Sequence, residues 1–376
     1  MLPAQSVGSL QEELTELIFR LIAFRSTRNR PEALAACAGF IAGWLREHSL
    51  MHRVFDSNGI PSILVGESLY KSGSVPPKAL LLAHFDVVEG ADHQFSPRLK
   101  GNELYGRGSV DDKYAVALSL LLYRELAAAR PDFMLLFTGD EEVGGADGAG
   151  FVCERVLPRL GKMPEFCLAL DGGSPAEIIT RQKGVLRLAL LEEGKAAHGA
   201  RPWLGDNAAV KLAGDCIKVT EMFKHIEKQY SGSPEYWHPT CNIGMIRSGE
   251  VVNQVPDHAR ADFDVRYTEK QNPEQLVQSI GAALEGRLEL VASIPPLTPL
   301  PSPRLDALFR CANKKRKTSI TVGHGASDAQ FFSRNNIPCA VWGAEGNASQ
   351  HGSDEHLCLD SAMDIMEVLA DFLNTL

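Results

Sequence analysis

A set of short, almost wholly apolar runs, each followed closely by acidic residues or histidine, limits the possible folds of this chain more than any other pattern. Three such pairs are residues 79–83 with His84-Phe85-Asp86, residues 133–138 with Asp140-Glu141-Glu142, and residues 166–170 with Asp171. Runs of this length and composition are typical of strands that are covered on both faces. Helical periodicity at residues 10–24, 32–48 and 112–129 lies between or before them. Strands that alternate with helices predict a mostly parallel, doubly wound α/β sheet.

A different order of elements begins near residue 178. The patterns predict, in turn, a strand over 183–193, a helix over 207–228, strands over 240–247 and 258–267, a helix over 273–285 and a strand over 287–293. This β-α-β-β-α-β order is that of the ferredoxin-like, split βαβ unit. The proline-rich segment that follows predicts a linker back to the first sheet. We therefore predict one domain made of residues 1–177 and 294–376, interrupted by an inserted α+β domain over residues 178–293.

Composition excludes several classes of protein. The chain has 38 Lys and Arg against 47 Asp and Glu, a formal charge of −9, whereas proteins that neutralise phosphates need the opposite sign. No run approaches the roughly 18 apolar residues of a membrane span. Early acidic residues argue against a signal peptide, and the cysteines form no CxxC pair. We therefore expect a cytoplasmic enzyme with neither nucleic acid nor a membrane as partner.

The polar residues at the predicted strand ends are expected to meet. Parallel strands present their carboxyl ends at one edge of the sheet, where α/β proteins bind ligands. Carboxylates gathered there would repel one another, and a divalent cation is the simplest way to hold them together. His84 and Asp86 point to the same side of an extended chain, which suits a ligand and the residue that orients it. The alternative is an ordinary hydrogen-bonded pair at a strand end.

A glycine-rich turn supplies a further acidic group. Its sequence is Gly106-Arg107-Gly108-Ser109-Val110-Asp111-Asp112-Lys113. The GxGxxG pattern of a phosphate loop is not satisfied, because Asp111 stands where the third glycine belongs. This favours a metal ligand over a phosphate-binding turn, and the two oxygens of one carboxylate can bridge two cations.

Two other segments fit the same interpretation. Glu141 and Glu142 are adjacent and face opposite ways in an extended chain, which suits one metal ligand and one free base; a solvated acidic turn is the alternative. His351 lies in the polar loop 347–352. A single histidine of this kind is more often structural, but the other groups need a nitrogen ligand.

Taken together, these segments resemble the M20 metallopeptidase and deacylase family. The resemblance rests on residues 82–88, 106–113 and 138–142, on Asp171 and on His351, and it spans nearly the whole chain. The family includes succinyl-diaminopimelate desuccinylase, acetylornithine deacetylase, glutamate carboxypeptidase, aminoacylase and several di- and aminopeptidases. Its fold implies that the inserted domain is a lid and dimerisation domain, so a homodimer is expected. The chain departs from the family pattern at Glu89-Gly90 and at Tyr114.

The resemblance implies a site with two zinc ions, for which cobalt or manganese could substitute with these nitrogen and oxygen ligands. It implies that one ion is held by His84 and Asp171 and the other by Glu142 and His351, with Asp111 bridging them. It also implies a cis peptide bond between Asp111 and Asp112.

Further roles follow from the same resemblance. Asp86 would orient His84, and Glu141 would be the general base that deprotonates a metal-activated water. His198 of the inserted domain, often from the partner subunit, would stabilise the oxyanion. Asn253 and Arg266 would bind substrate, Arg266 through a carboxylate. A structural salt bridge is the alternative for Arg266.

The predicted reaction is hydrolysis of an amide or peptide bond in a small substrate that bears a carboxylate. Asp171 followed by Gly172 is similar to the dipeptidase and aminopeptidase branches, whereas the desuccinylase and deacetylase branches have Glu followed by Pro. A short peptide is therefore the predicted substrate, with deacylation of an N-acyl amino acid as the alternative. Two other hypotheses are a non-catalytic binding protein on the same fold and a phosphate- or nucleotide-binding enzyme that uses the turn 106–111.

Overall fold

The structure is a computed structural model that describes residues 7–70, 75–129, 132–230 and 236–376. The described residues form two compact units. The first is drawn from Met1–Arg181, Pro299–Gly323 and Ser327–Leu376, and the second from Gln182–Thr298 and His324–Ala326. None of the helices in these described ranges combines the length and the apolar character that crossing a membrane requires.

The strands and helices of the described residues are numbered in chain order. The strands are β1 (His52–Ser57), β2 (Ile60–Val65), β3 (Ala79–His84), β4 (Arg98–Lys100), β5 (Glu103–Tyr105), β6 (Phe133–Thr138), β7 (Cys167–Ala169), β8 (Glu177–Gln182), β9 (Gly184–Glu193), β10 (Ala197–His198), β11 (Thr240–Ser248), β12 (Gln254–Val255), β13 (His258–Tyr267), β14 (Arg287–Ile294), β15 (Ser319–Gly323), β16 (Cys339–Val341) and β17 (His356–Cys358). The α-helices are α1 (Val7–Ile22), α2 (Pro31–Glu47), α3 (Lys113–Leu126), α4 (Leu157–Leu160), α5 (Ala208–Gln229), α6 (Pro273–Ala282), α7 (Pro303–Lys315), α8 (Ala329–Ser333) and α9 (Leu359–Leu373).

The first unit is built on an eight-stranded sheet with the order β1-β2-β6-β3-β7-β16-β8-β15. Its central strands β6, β3, β7 and β16 are parallel, and antiparallel pairs flank them. Every residue of β2, β3 and β6 is buried, so the sheet is covered on both faces in this region. The predicted α/β fold with a largely parallel sheet is thereby confirmed.

Helices cover this sheet and bury their apolar stripes. In α1, Leu10, Leu14, Leu17 and Leu21 are buried, and their spacing of three to four residues is that of one helix face. Helix α3 is buried along almost its whole length, because it packs between the sheet and the helices α1 and α9. The helices predicted at residues 10–24, 32–48 and 112–129 correspond to α1, α2 and α3.

The second unit has the element order that the sequence predicts for a split βαβ unit. Strands β9, β11, β13 and β14 form an antiparallel sheet with the order β11-β13-β9-β14. Helices α5 and α6 are preceded by Asn207 and Asn272, whose side chains accept hydrogen bonds from the first turn, as N-cap residues do. The core of this unit lies between the sheet and these helices and includes Leu188 and Phe263.

Candidate metal centre

The residues predicted at strand ends lie at the carboxyl edge of the four central strands. His84 ends β3, and Glu141 and Glu142 lie in a short 3₁₀ turn after β6. Asp171 lies two residues after β7, and His351 lies in the loop that follows β16. Asp111 comes from the turn before α3, and its peptide bond to Asp112 is cis, as the resemblance implies. Adjacent parallel strands end at the same edge, so residues far apart in the chain come together there.

The ligand atoms form two groups. His84, Glu141 and Asp171 make up one, and Asp111, Glu142 and His351 make up the other; within each group all atoms lie within 4.8 Å of one another. Asp111 joins the groups, because its Oδ1 is 3.0 Å from Nε2 of His84 and its Oδ2 is 3.2 Å from Nε2 of His351. Glu142 Oε2 is also 3.2 Å from His351 Nε2. One carboxylate therefore faces both imidazoles at once.

The crowding of carboxylates shifts their pKa values. The pKa of Asp171 is raised to about 7, first by burial and then by the charge of Asp111. Burial and the charge of Asp171 raise the pKa of Glu141 well above its usual value. Hydrogen bonds to Asp111 and Glu142 raise the pKa of His351 to about 10. The site therefore binds protons tightly when no other positive charge is present.

These residues fit a divalent cation. The two groups offer imidazole nitrogen and carboxylate oxygen atoms, which are ligands that zinc binds in proteins. Glu142 Oε1 is buried and accepts no hydrogen bond from the described residues. A buried acceptor without a donor is costly, and a cation at this position would satisfy it.

Asp86 does more than the sequence predicts. Its carboxylate accepts hydrogen bonds from the backbone N–H of Glu141, at 3.2 Å, and of Glu142, at 3.1 Å. The Nδ1 atom of His84 lies 3.0 Å from the backbone oxygen of Asp86 but 3.4 Å from its carboxylate. The buried carboxylate therefore holds the turn that carries both glutamates, and the backbone carbonyl makes the closer contact to His84.

A buried ion pair that sequence reasoning missed links two ligand-bearing segments. Arg107 and Glu355 are 3% and 2% exposed, and Nη1 of Arg107 donates to Oε2 of Glu355. Nη2 of Arg107 donates to the carbonyl of His351 at 3.1 Å, and Glu355 Oε1 accepts from the N–H of Gly108 at 2.8 Å. The pair thus ties the turn of Asp111 to the loop of His351. The sequence feature that could have indicated this pair is the charged side chain of Arg107 inside a glycine-rich turn.

The other three predicted site residues lie in the second unit. His198 in β10 is opposite Gln254 in β12, and the backbone carbonyl of Asn253 accepts a hydrogen bond from Gly199 N–H at 2.7 Å. His198 and Asn253 are therefore neighbours on one exposed ribbon. Their predicted roles toward the oxyanion and the substrate stay predictions.

Arg266 projects from β13 beside an acidic residue of the same strand. Its Nε and Nη2 atoms donate to the two carboxylate oxygens of Asp264, at 2.6 and 3.1 Å. This is the salt bridge that the sequence leaves open as the alternative. The predicted contact of Arg266 with a substrate carboxylate stays a prediction.

Comparison with known proteins gives the family. The model of peptidase family M20/M25/M40 matches residues 80–375. A succinyl-diaminopimelate desuccinylase of Variovorax paradoxus is 28% identical in an alignment of 314 positions that covers 76% of this chain and 78% of that protein. A probable carboxypeptidase of Aspergillus terreus is 34% identical in an alignment of 206 positions that covers 52% of this chain and 46% of that protein.

Solved structures share the fold. The M20 family metallo-carboxypeptidase Sso-CP2 from Sulfolobus solfataricus superposes with a TM-score of 0.78 at 16% sequence identity, over 96% of this chain and 98% of that chain. The matched residues 80–375 include every side chain of both ligand groups. The chain is therefore a hydrolase that belongs to the M20/M25/M40 peptidase family.

Proposed function

We propose that this protein hydrolyses the amide bond of a short peptide at a site that holds two zinc ions. The observation that carries the proposal is the position of Asp111, whose two oxygens lie 3.0 and 3.2 Å from the Nε2 atoms of two different histidines. One ion would be held by His84 and Asp171 and the other by Glu142 and His351, with Asp111 shared between them. When bound, two such ions lower the pKa of a water molecule and polarise the amide carbonyl.

Glu141 is the residue proposed to move the proton. Its carboxylate lies within 4.8 Å of ligand atoms of His84 and Asp171. Burial and the charge of Asp171 raise its pKa, so it can take a proton from water and keep it until the amine leaves. Its neighbour Glu142 belongs to the other ligand group. Of the two adjacent glutamates, Glu141 would therefore act as the base and Glu142 as a metal ligand.

A short peptide is the first candidate substrate because Asp171 is followed by Gly172, a pair that resembles the dipeptidase and aminopeptidase branches of the family. Deacylation of an N-acyl amino acid is the second candidate, because the Variovorax desuccinylase is similar over 314 residues at 28% identity. Both reactions break an amide bond, and both can use the same two ligand groups. The two candidates differ in the group that the pocket accepts on the acyl side of that bond.

Substrate profiling with the zinc-loaded protein tests these proposals. The panel contains dipeptides and tripeptides together with N-acetyl and N-succinyl amino acids. Cleavage of the peptides without release of acetate or succinate supports the peptidase. Release of acetate or succinate with intact peptides supports the deacylase instead. Zinc-loaded protein that cleaves no member of either set contradicts the proposed reaction.

We also propose that the chain forms a homodimer through its second unit and acts in the cytoplasm. Strand β11 is an edge strand, and it carries the exposed side chains of Met245 and Ile246; exposed apolar edge strands are prone to pair with another chain. All eight cysteines are free thiols, which suits a reducing compartment. Light scattering should give twice the chain mass of 41.0 kDa, and a monomeric mass would contradict the dimer.

A further inference from the structure

Tyr114, the second residue of α3, uses its hydroxyl group twice inside the first unit. The side chain is fully buried. The hydroxyl donates a hydrogen bond to the carbonyl of Leu170 at 2.6 Å and accepts one from the N–H of Ala344 at 2.8 Å. Leu170 directly precedes the ligand Asp171, and Ala344 lies after β16 on the way to the loop of His351. A single hydroxyl therefore joins two strand ends at the metal centre.

The space around this hydroxyl is shaped to receive it. A Cβ atom at Gly343 would lie 2.4 Å from the Tyr114 hydroxyl oxygen and 2.5 Å from the carbonyl oxygen of Leu170. Real Cβ atoms do not approach other atoms so closely. Glycine at position 343 is therefore what lets the tyrosine hydroxyl reach both backbone groups.

Asp171 depends on its backbone for its position. Its carboxylate oxygen lies 3.9 Å from Nε2 of His84, which is beyond hydrogen-bonding distance. It is followed by Gly172 and Gly173, whose φ values of +117° and +76° are in the left-handed region. Glycine residues have more conformational freedom to lose than other residues, so the turn after Asp171 does little to fix it. Contacts that fix the residue before Asp171 therefore have a large effect on where its carboxylate lies.

We propose that Tyr114 is a positioning residue that fixes the backbone beside Asp171 and thereby sets the affinity of one of the two metal ions. This inference rests on the proposed function, because it takes Asp171 as a ligand of one ion. Tyr114 touches neither substrate nor reacting atoms in this role. Its effect should fall on the ion that Asp171 and His84 would hold, because Leu170 adjoins Asp171 whereas Ala344 is seven residues before His351.

The test is the stepwise affinity for Zn²⁺ of the Tyr114→Phe variant. Metal-free protein is titrated with Zn²⁺ against a competing chelator, so that two dissociation constants are obtained. Removal of residues that orient metal ligands typically weakens binding by about 10- to 100-fold. We expect a loss of this size for one ion and no change for the other. The matched control is Tyr123→Phe in the same helix, where a buried tyrosine hydroxyl accepts a hydrogen bond from Glu67 N–H at 3.2 Å; both affinities should be unchanged.

A double-mutant cycle separates positioning from a general structural effect. Asp171→Asn identifies the ion that Asp171 holds, and Tyr114→Phe should weaken the same ion. In the Asp171→Asn background, Tyr114→Phe should add no further loss. A second variant, Gly343→Ala, places a Cβ atom against both the Tyr114 hydroxyl and the Leu170 carbonyl without altering the tyrosine, and it should weaken that ion selectively as well. Circular dichroism and the thermal midpoint verify that each variant is folded.

The outcomes distinguish this inference from the proposed function. Folded Tyr114→Phe protein with two unchanged affinities overturns the role of Tyr114 while leaving the proposed reaction intact. Equal weakening of both ions, or an undiminished loss in the Asp171→Asn background, also overturns it. Wild-type protein that binds two ions but cleaves no amide overturns the proposed reaction only, and wild-type protein that binds no Zn²⁺ overturns both.

Discussion

Replacing Asp86 by asparagine should damage both metal positions at once. The Asp86 carboxylate accepts hydrogen bonds from the N–H groups of Glu141 and Glu142 at 3.2 and 3.1 Å. Asparagine has one oxygen to accept with, so its amide N–H₂ would face the second N–H. Loss of one buried hydrogen bond to a charged acceptor costs about 1.5–3 kcal/mol. A free-energy change of about 1.4 kcal/mol corresponds to a factor of ten, so this loss predicts that kcat/KM falls by about 10- to 150-fold.

The assay measures kcat/KM on the preferred substrate together with both dissociation constants for Zn²⁺. We expect kcat/KM to fall by that factor and both ions to bind more weakly, since the turn carries the proposed ligand Glu142 and the Asp86 carboxylate also lies 3.4 Å from Nδ1 of the proposed ligand His84. The control is Asp92→Asn in the same segment, where an aspartate that is 93% exposed contacts Arg25 at 2.5 Å; exposed pairs contribute little. If Asp86→Asn kept kcat/KM within twofold and both affinities unchanged, the anchoring role of Asp86 would be refuted.

Three other outcomes are expected. Glu141→Gln should keep both Zn²⁺ ions and lower kcat by a factor of about 10² to 10⁴. Metal analysis measures the number of bound ions, and steady-state kinetics measure kcat. Loss of an ion would show that Glu141 is a ligand rather than the base. Removal of the metal by a chelator should abolish turnover and lower the thermal midpoint. The free energy of unfolding should fall by about 2.7 kcal/mol if free Zn²⁺ had been 100 times its dissociation constant. Added Zn²⁺ should restore both turnover and stability. The raised pKa of His351, about 10, means that this imidazole is protonated at neutral pH before metal binds. The ion that His351 would hold must displace that proton, so the affinity for this one Zn²⁺ ion should rise about tenfold per pH unit between pH 7 and 8. An affinity for it that falls as the pH rises would contradict the assignment.

Much of the architecture can be read from local patterns. The apolar runs predict β3 and β6 because a strand covered on both faces has no polar position, and this is visible within a few residues. The element order after residue 178 predicts the four-stranded sheet of the second unit, whose strands alternate instead, as the buried and partly exposed residues of β13 do. The acidic residues and histidine that follow these runs also mark the carboxyl edge of the sheet as the place for a site.

Local patterns therefore specify which segments form strands and helices, and which residues with metal-binding side chains lie at their ends. How those side chains meet depends on tertiary packing. The two oxygens of Asp111 face different histidines, the Asp86 carboxylate turns to backbone N–H groups, and Arg107 pairs with Glu355 across 248 positions of the chain. Periodicity reports the environment of neighbouring residues, whereas these contacts join segments whose separation is set by packing of the whole unit. The same holds for Tyr114. Helix α3 fixes where its hydroxyl lies, but the approach of two strand ends brings the backbone of Leu170 and Ala344 within hydrogen-bonding distance.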